Sequence, residues 1–301
     1  MFLHTFLCAG VVPFATAAVV AIAVAQFGAV PRVYWLLGTA LGFVAGYIAL
    51  KNQSGIVPAI ASITRPQTAA DWLPIIVLLA LGVGLLLAQS APRWIGIGLA
   101  GLLALAVPLR LLCTNARLTS EWTATEKLAC VCLLASAFGA IWLTLARNEN
   151  ARTAKTQLLL LLIDATGIAA ALTISGVLVY GQACGSLAAA LAGTALASAF
   201  VHWQNRNSVD EAHDASEAFG WSSGFPAAAG VITFSLGGFI ILGHFFADLS
   251  ATSALLLFVS LAAAGGPLFE GLLRRAAWQH AVIRTLACLV PLGVAVKLSF
   301  G

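Results

Sequence analysis

The sequence predicts an all-α polytopic membrane protein of about ten transmembrane helices, folded as two inverted five-helix repeats. Three observations lead there. Of 301 residues, 61% are hydrophobic and only 9% charged, with a mean hydropathy of +0.99, whereas a soluble domain carries about a quarter charged residues. The apolar residues run continuously for roughly 18 or more positions at a time, enough to cross the hydrocarbon layer as helix. Short matches also recur in order between the two halves of the chain. Because the runs do not alternate, they read as helices, which satisfy their own backbone hydrogen bonds in lipid, and not as barrel strands.

Taken in order, the spans are 6 to 30, 33 to 50, 73 to 89, 93 to 112, 124 to 146, 156 to 180, 183 to 203, 225 to 247, 251 to 270 and 280 to 298. The first resembles a secretion signal at Ala23-Val24-Ala25, but no Lys or Arg precedes Pro31 and its apolar stretch is too long for a signal core. It is expected to be a membrane helix. The second bears a ridge of small residues, Gly38, Gly42 and Gly46, matched in the seventh by Gly193 and Ala197. Such ridges let helices approach closely in lipid. Polar connectors of about twenty residues, Lys51 to Trp72 and Gln204 to Gly224, follow the second and seventh spans. The fourth and ninth spans each hold a proline near a charge, Pro108 with Arg110 and Gly265-Gly266-Pro267 with Glu270. Proline removes a backbone donor and frees a carbonyl, so both helices are expected to be interrupted there.

Laying residues 151–301 over residues 1–150 gives five short matches in the same order, at offsets between 152 and 159 residues. Gly38-Thr39-Ala40-Leu41 recurs as Gly193-Thr194-Ala195-Leu196, and Leu73-Pro74 has its counterpart in Phe225-Pro226. Lys51-Asn52 parallels Gln204-Asn205, Pro108-Leu109 parallels Pro267-Leu268, and Leu128-Ala129-Cys130 parallels Leu286-Ala287-Cys288. Five helices per repeat is an odd number, so the second copy is expected to traverse the membrane upside down, forming one membrane domain with the first. With the N-terminus on side A, the side A connectors hold six Lys and Arg and those of side B hold nine, counting Arg284 at the edge of the last helix. The positive-inside bias therefore favours side B as cytoplasmic.

Fifteen basic and eleven acidic residues leave a net charge of +4 spread over short connectors. No basic face suited to a nucleic-acid backbone results. The six cysteines, Cys8, Cys113, Cys130, Cys132, Cys184 and Cys288, stand at no metal-ligand spacing and read as small buried apolar residues. No cofactor and no metal is expected. Asp210, His213, Asp214 and Glu217 share a helical face in the second long connector, but match no metal motif and read as a solvated acidic face.

Asp164 stands out because Gln157 and an unbroken run of Leu and Ile precede it and an Ala-rich helix follows. An ionised carboxylate in lipid costs several kcal/mol, so this residue should face the bundle interior, where the two repeats are expected to meet, or hold a proton. Either outcome suits proton coupling or cation binding. The plainer alternative is a structural carboxyl bonded to a nearby hydroxyl. Arg110 and Glu270, on opposite sides under the inverted repeat, are candidate gate charges or simple interface markers. His244 could line a proton path or be a satisfied core residue, and His202 is the weaker candidate. Gly220-Trp221-Ser222-Ser223-Gly224 fits the nucleophile-elbow pattern of a hydrolase only if a strand precedes it. No strand pattern does, and a flexible turn with Trp221 at the interface is the plainer reading.

Ten helices in about 300 residues, five plus five, resembles the architecture of drug/metabolite transporters and of bile-acid-type sodium symporters. The resemblance implies a secondary transporter working by alternating access between inverted repeats. The scarcity of midplane charge points to a small neutral or weakly charged solute, with the lipid bilayer as surroundings and a homodimer or larger membrane complex as a possible assembly. The alternatives are a non-transporting scaffold or accessory subunit, and a membrane-embedded hydrolase. The multi-pass chain is expected in a cell or inner membrane.

Overall fold

The structure is a computed structural model and describes residues 2–28, 30–52, 55–88, 93–114, 120–146, 151–207, 221–265 and 277–300. Among these residues every regular element is helical. The chain opens with α1 (Phe2–Phe6), passes through a π-helical turn (Leu7–Val11) and continues as α2 (Val12–Gln26). Then come α3 (Pro31–Lys51), the short α4 (Ile56–Thr64), a 3-10 turn (Ala69–Asp71), α5 (Trp72–Ala88), α6 (Arg93–Cys113) and α7 (Ala124–Ala146). The second half comprises α8 (Ala151–Ile174), α9 (Leu178–Asn207), α10 (Trp221–Phe246), α11 (Ala251–Gly265) and α12 (Ala277–Leu298).

Nine helical segments are long and apolar enough to cross a membrane, and α11 is a tenth, shorter apolar helix within the described residues. The chain is therefore an all-α, multi-pass membrane protein. Two boundaries differ from the sequence reading. The sixth span stops at Ile174, six residues early, because Gly176 takes a left-handed φ of 90° and turns the chain directly into α9. The first long connector is structured by α4, whose Ile56, Val57 and Ile60 are exposed, and by the 3-10 turn before α5.

α10 is the hub, packing against α3, α5, α6 and α7 of the first half and α8, α9 and α11 of the second. Its small residues allow this: a side chain at Gly237 would strike Phe138, and one at Gly238 would come within 2.9 Å of Leu73. α3 and α9 form a second contact between the halves, with α2 against both. They run antiparallel, since Tyr34 meets Ser198, Thr39 meets Thr194, and Gly46 faces Ser186. The ridge of Gly38, Gly42 and Gly46 is wedged between α2 and α9; a Cβ on Gly42 would lie 2.6 Å from that of Ala17 and 3.0 Å from that of Ala190. Gly193 faces the backbone of Phe14 in α2.

The cysteines divide differently from expectation. Only Cys184 and Cys288 are buried; Cys113 and Cys132 are exposed, and all six are free thiols. On a helix surrounded by lipid, an apolar residue is as comfortable outside as inside.

Candidate functional site: a polar cluster where α8, α11 and α12 meet

Three helices bring their small and polar residues to one line. α11 turns Ser253, Leu257, Ser260 and Ala264 inward at three- and four-residue spacing, and α12 does the same with Arg284, Cys288, Leu292 and Ala295. α8 contributes Gln157 and Asp164, seven residues apart and so on one face. Gly167 lets α12 close in, for a Cβ there would sit 2.6 Å from Leu292. Asp164 lies thirteen residues into α8, about 20 Å along its axis at 1.5 Å per residue. It is fully buried.

Ser260 Oγ lies 2.5 Å from Asp164 Oδ1 and 2.8 Å from the Cys288 carbonyl oxygen, with Cys288 Sγ 3.5 Å from the same carboxylate oxygen. A serine hydroxyl has one proton to give and here meets two acceptors. If Asp164 is ionised, Ser260 donates to it. If Asp164 carries a proton, the carboxyl donates to Ser260 and Ser260 donates to the Cys288 carbonyl. The same atoms thus accommodate both protonation states by reversing one hydrogen bond. The second carboxylate oxygen, Oδ2, is buried with no hydrogen-bond partner. A bare buried acceptor is costly, so the carboxyl retains unspent bonding capacity.

Toward side B the cluster continues. Gln157 Nε2 donates to the Gly265 carbonyl at 3.1 Å, and Arg284 Nη2 donates to the Ala264 carbonyl. Both side chains are buried, Arg284 at 7% exposure. The carbonyls of Ala264 and Gly265 thus each receive a side-chain donor. A guanidinium one turn from Cys288 places a cation in the same buried line as Asp164.

A second buried acid offers a contrast. Asp71 accepts Tyr47 Oη at 2.6 Å and Lys51 Nζ at 3.0 Å on Oδ1. Its Oδ2 accepts the Thr68 backbone N–H at 2.9 Å, the Thr68 hydroxyl at 2.8 Å and the Gln67 N–H at 3.3 Å. Every lone pair is used, and the result pins the first connector to α3 and caps the start of α5. Asp71 is structural by its own hydrogen-bond accounting, whereas Asp164 is not fully spent.

The other sequence candidates lie elsewhere. His244 Nδ1 is 2.9 Å from the Leu249 carbonyl, so it fastens the α10–α11 turn beside Phe245. Arg110 is exposed at the end of α6 with its guanidinium 4.0 Å above the Trp72 ring. The interruption expected at Pro108 does not occur: α6 runs continuously from Arg93 to Cys113 with the proline inside it. One missing donor is tolerated where the rest of the ladder holds. Gly265 closes the described part of α11, while Gly266, Pro267 and Glu270 lie outside the described residues. The acidic connector Asp210, His213, Asp214 and Glu217 also lies outside them. Ser222 to Gly224 lie in α10, while Gly220 and the residues before it, where a strand would have to stand, lie outside the described residues. No protein-family model, curated protein or solved structure matches this chain.

The cluster corrects one expectation about place. Asp164 is buried, but its partners Ser260 and Cys288 both belong to residues 151–301, and α8 makes its principal contacts with α9, α10, α11 and α12. The acid sits inside the second half and not at the seam. Sequence reasoning also missed Arg284, taken for a boundary charge, along with Gln157 and Asp71. The signal for Asp71 was present as Thr68-x-x-Asp71 before an apolar run, a capping box. Arg284 gave no such sign, since four residues of helix more or less decide whether a charge is at an edge or within.

Proposed function

We propose that this protein is a secondary transporter of a small neutral or weakly charged solute, working by alternating access between two inverted five-helix repeats, with Asp164 as its proton- or cation-coupling group. The observation that carries the reading is the Asp164 carboxyl: fully buried in mid-helix, linked to Ser260 by a bond that can reverse, and left with one unpartnered oxygen. Intramembrane acids of this kind mark ion and proton pathways. Support for the inverted repeat comes from α3 and α9. Thr39 and Thr194, counterparts 155 residues apart, meet each other at 3.5 Å. Residues related by a two-fold axis meet their own counterparts where that axis passes. The counterpart helices α5 and α10 also touch, antiparallel, through Leu73 with Gly238 and Gly84 with Ala227.

The test is uptake into proteoliposomes across a panel of neutral and zwitterionic solutes, with imposed proton and sodium gradients. Wild-type protein is expected to accumulate a solute when a gradient is applied, while Asp164→Asn retains exchange of that solute but no longer accumulates it. Uptake indifferent to both gradients would remove the coupling role. A scaffold or accessory subunit is the second reading, favoured by the complete burial of Asp164. Water access separates the two. With the other five cysteines replaced, a small polar thiol reagent should reach Cys288 in a transporter; complete protection of Cys288 together with absence of uptake would favour the scaffold.

A further inference from the structure

Between α5 and α6 lies a cleft of about 390 Å³, walled by Ile76, Leu79, Leu103 and Val107, with Trp72 and Arg110 at one end. That volume is in the range of small-molecule and lipid sites. Its walls offer no polar group apart from those two residues and Cys113. The first residue of α5 and the last turn of α6 meet there, which places Trp72 and Arg110 at the end of their helices, the depth at which indoles and arginines gather in a bilayer.

Arg110 is arranged in a particular way. Its guanidinium carbon lies over the Trp72 ring, 4.0 Å from the centroid, a cation–π contact that holds the charged head group at that end of the cleft. Among the described residues Arg110 has no carboxylate or carbonyl partner. A guanidinium held on an aromatic face is confined in position, and its fork matches the two non-bridging oxygens of a phosphate. A soluble anion would gain nothing from the apolar walls, and a lipid without net charge would leave the cation uncompensated. Basic pockets between membrane helices suit anionic head groups. We propose that this cleft holds one acyl chain of an anionic phospholipid whose phosphate rests on Arg110. The proposal is independent of whether the protein transports anything.

The experiment uses the full chain purified in a neutral detergent, titrated with phosphatidylglycerol, with phosphatidylcholine of the same acyl chains, and with glycerol phosphate as the head group alone. Native mass spectrometry counts the lipids retained, and thermal unfolding reports stabilisation. One tightly held phosphatidylglycerol is expected, with a rise of several degrees in the unfolding midpoint. Arg110→Gln should lose that lipid at least tenfold, and Ala106→Phe, which fills the cleft from its open side, should lose it while the protein stays folded. Arg65→Gln, an exposed arginine on the first connector, should retain it. Equal retention of both phospholipids, unchanged binding in Arg110→Gln, or equal stabilisation by glycerol phosphate alone would each overturn the proposal.

Discussion

Two aspartates of the same chemistry do different work because of the groups around them. Asp71 is surrounded by five donors and closes a connector; Asp164 has a shared serine proton and an oxygen with none. Asp164→Asn conserves shape and can still bond Ser260, so it should fold normally while abolishing coupling, which is why it is the variant of choice for transport. Arg284 is the opposite case. Removing it by Arg284→Leu strips a donor from the Ala264 carbonyl, and leaving a buried polar group unmatched costs about 1–3 kcal/mol. A lower unfolding free energy in denaturing-detergent titrations is the expected result, with Arg284→Lys recovering part of it. A stability equal to wild type would show that Arg284 is solvated and the cluster open. Of these residues, Asp164 was legible in the sequence because a lone acid in a leucine run has no inconspicuous explanation. Gln157 and Arg284 were not, because both sit near apparent helix ends, where polar residues are ordinary.

Helices in lipid associate through packing, and here small residues set how close they come. Gly42 has no room for a methyl group between α2 and α9, whereas a side chain at Gly98 of α6 would meet nothing within 4 Å. Gly42→Leu is accordingly expected to lower the unfolding midpoint by many degrees and to reduce yield. Gly98→Ala should be neutral or slightly stabilising, since alanine favours the helix by about 0.5–1 kcal/mol over glycine. Melting curves of the two variants side by side check this, and equal effects would mean that the Gly38–Gly46 ridge is not a contact. The ridge was readable from its four-residue spacing, but its partners were not: one row of glycines serves two neighbours at once, and spacing fixes a face without naming what lies against it. Pro108 teaches the converse. The residue type signalled a break, yet the surrounding helix absorbs it.

For the whole molecule, ten crossings place both chain ends on one side of the membrane, and nine would place them on opposite sides. The more searching test concerns the axis between the halves. Thr39→Cys with Thr194→Cys, in a chain freed of its own cysteines and carrying a protease site introduced at residues 147–150, should form a disulfide under mild oxidation. The two fragments would then stay joined on a non-reducing gel after cleavage. Separation of the fragments would show that the two counterparts do not meet, and the inverted-repeat reading would lose its best support.

Composition and the length of the apolar runs determined by themselves that the chain is helical and crosses the membrane about ten times, because a bilayer forces every segment to bury its backbone polar groups within one helix. Local chemistry likewise marked Asp164 and the glycine ridge. Only the tertiary structure decided which helices meet: that α10 is the hub, that Asp164 faces Ser260 and Cys288 inside the second half, and that Arg110 lies over Trp72 at one end of an apolar cleft. The reason is physical. Where lipid and protein interior are equally apolar, hydrophobicity no longer distinguishes the outer face of a helix from the inner one, and neighbours are chosen by shape and by a few polar contacts between residues far apart in the chain.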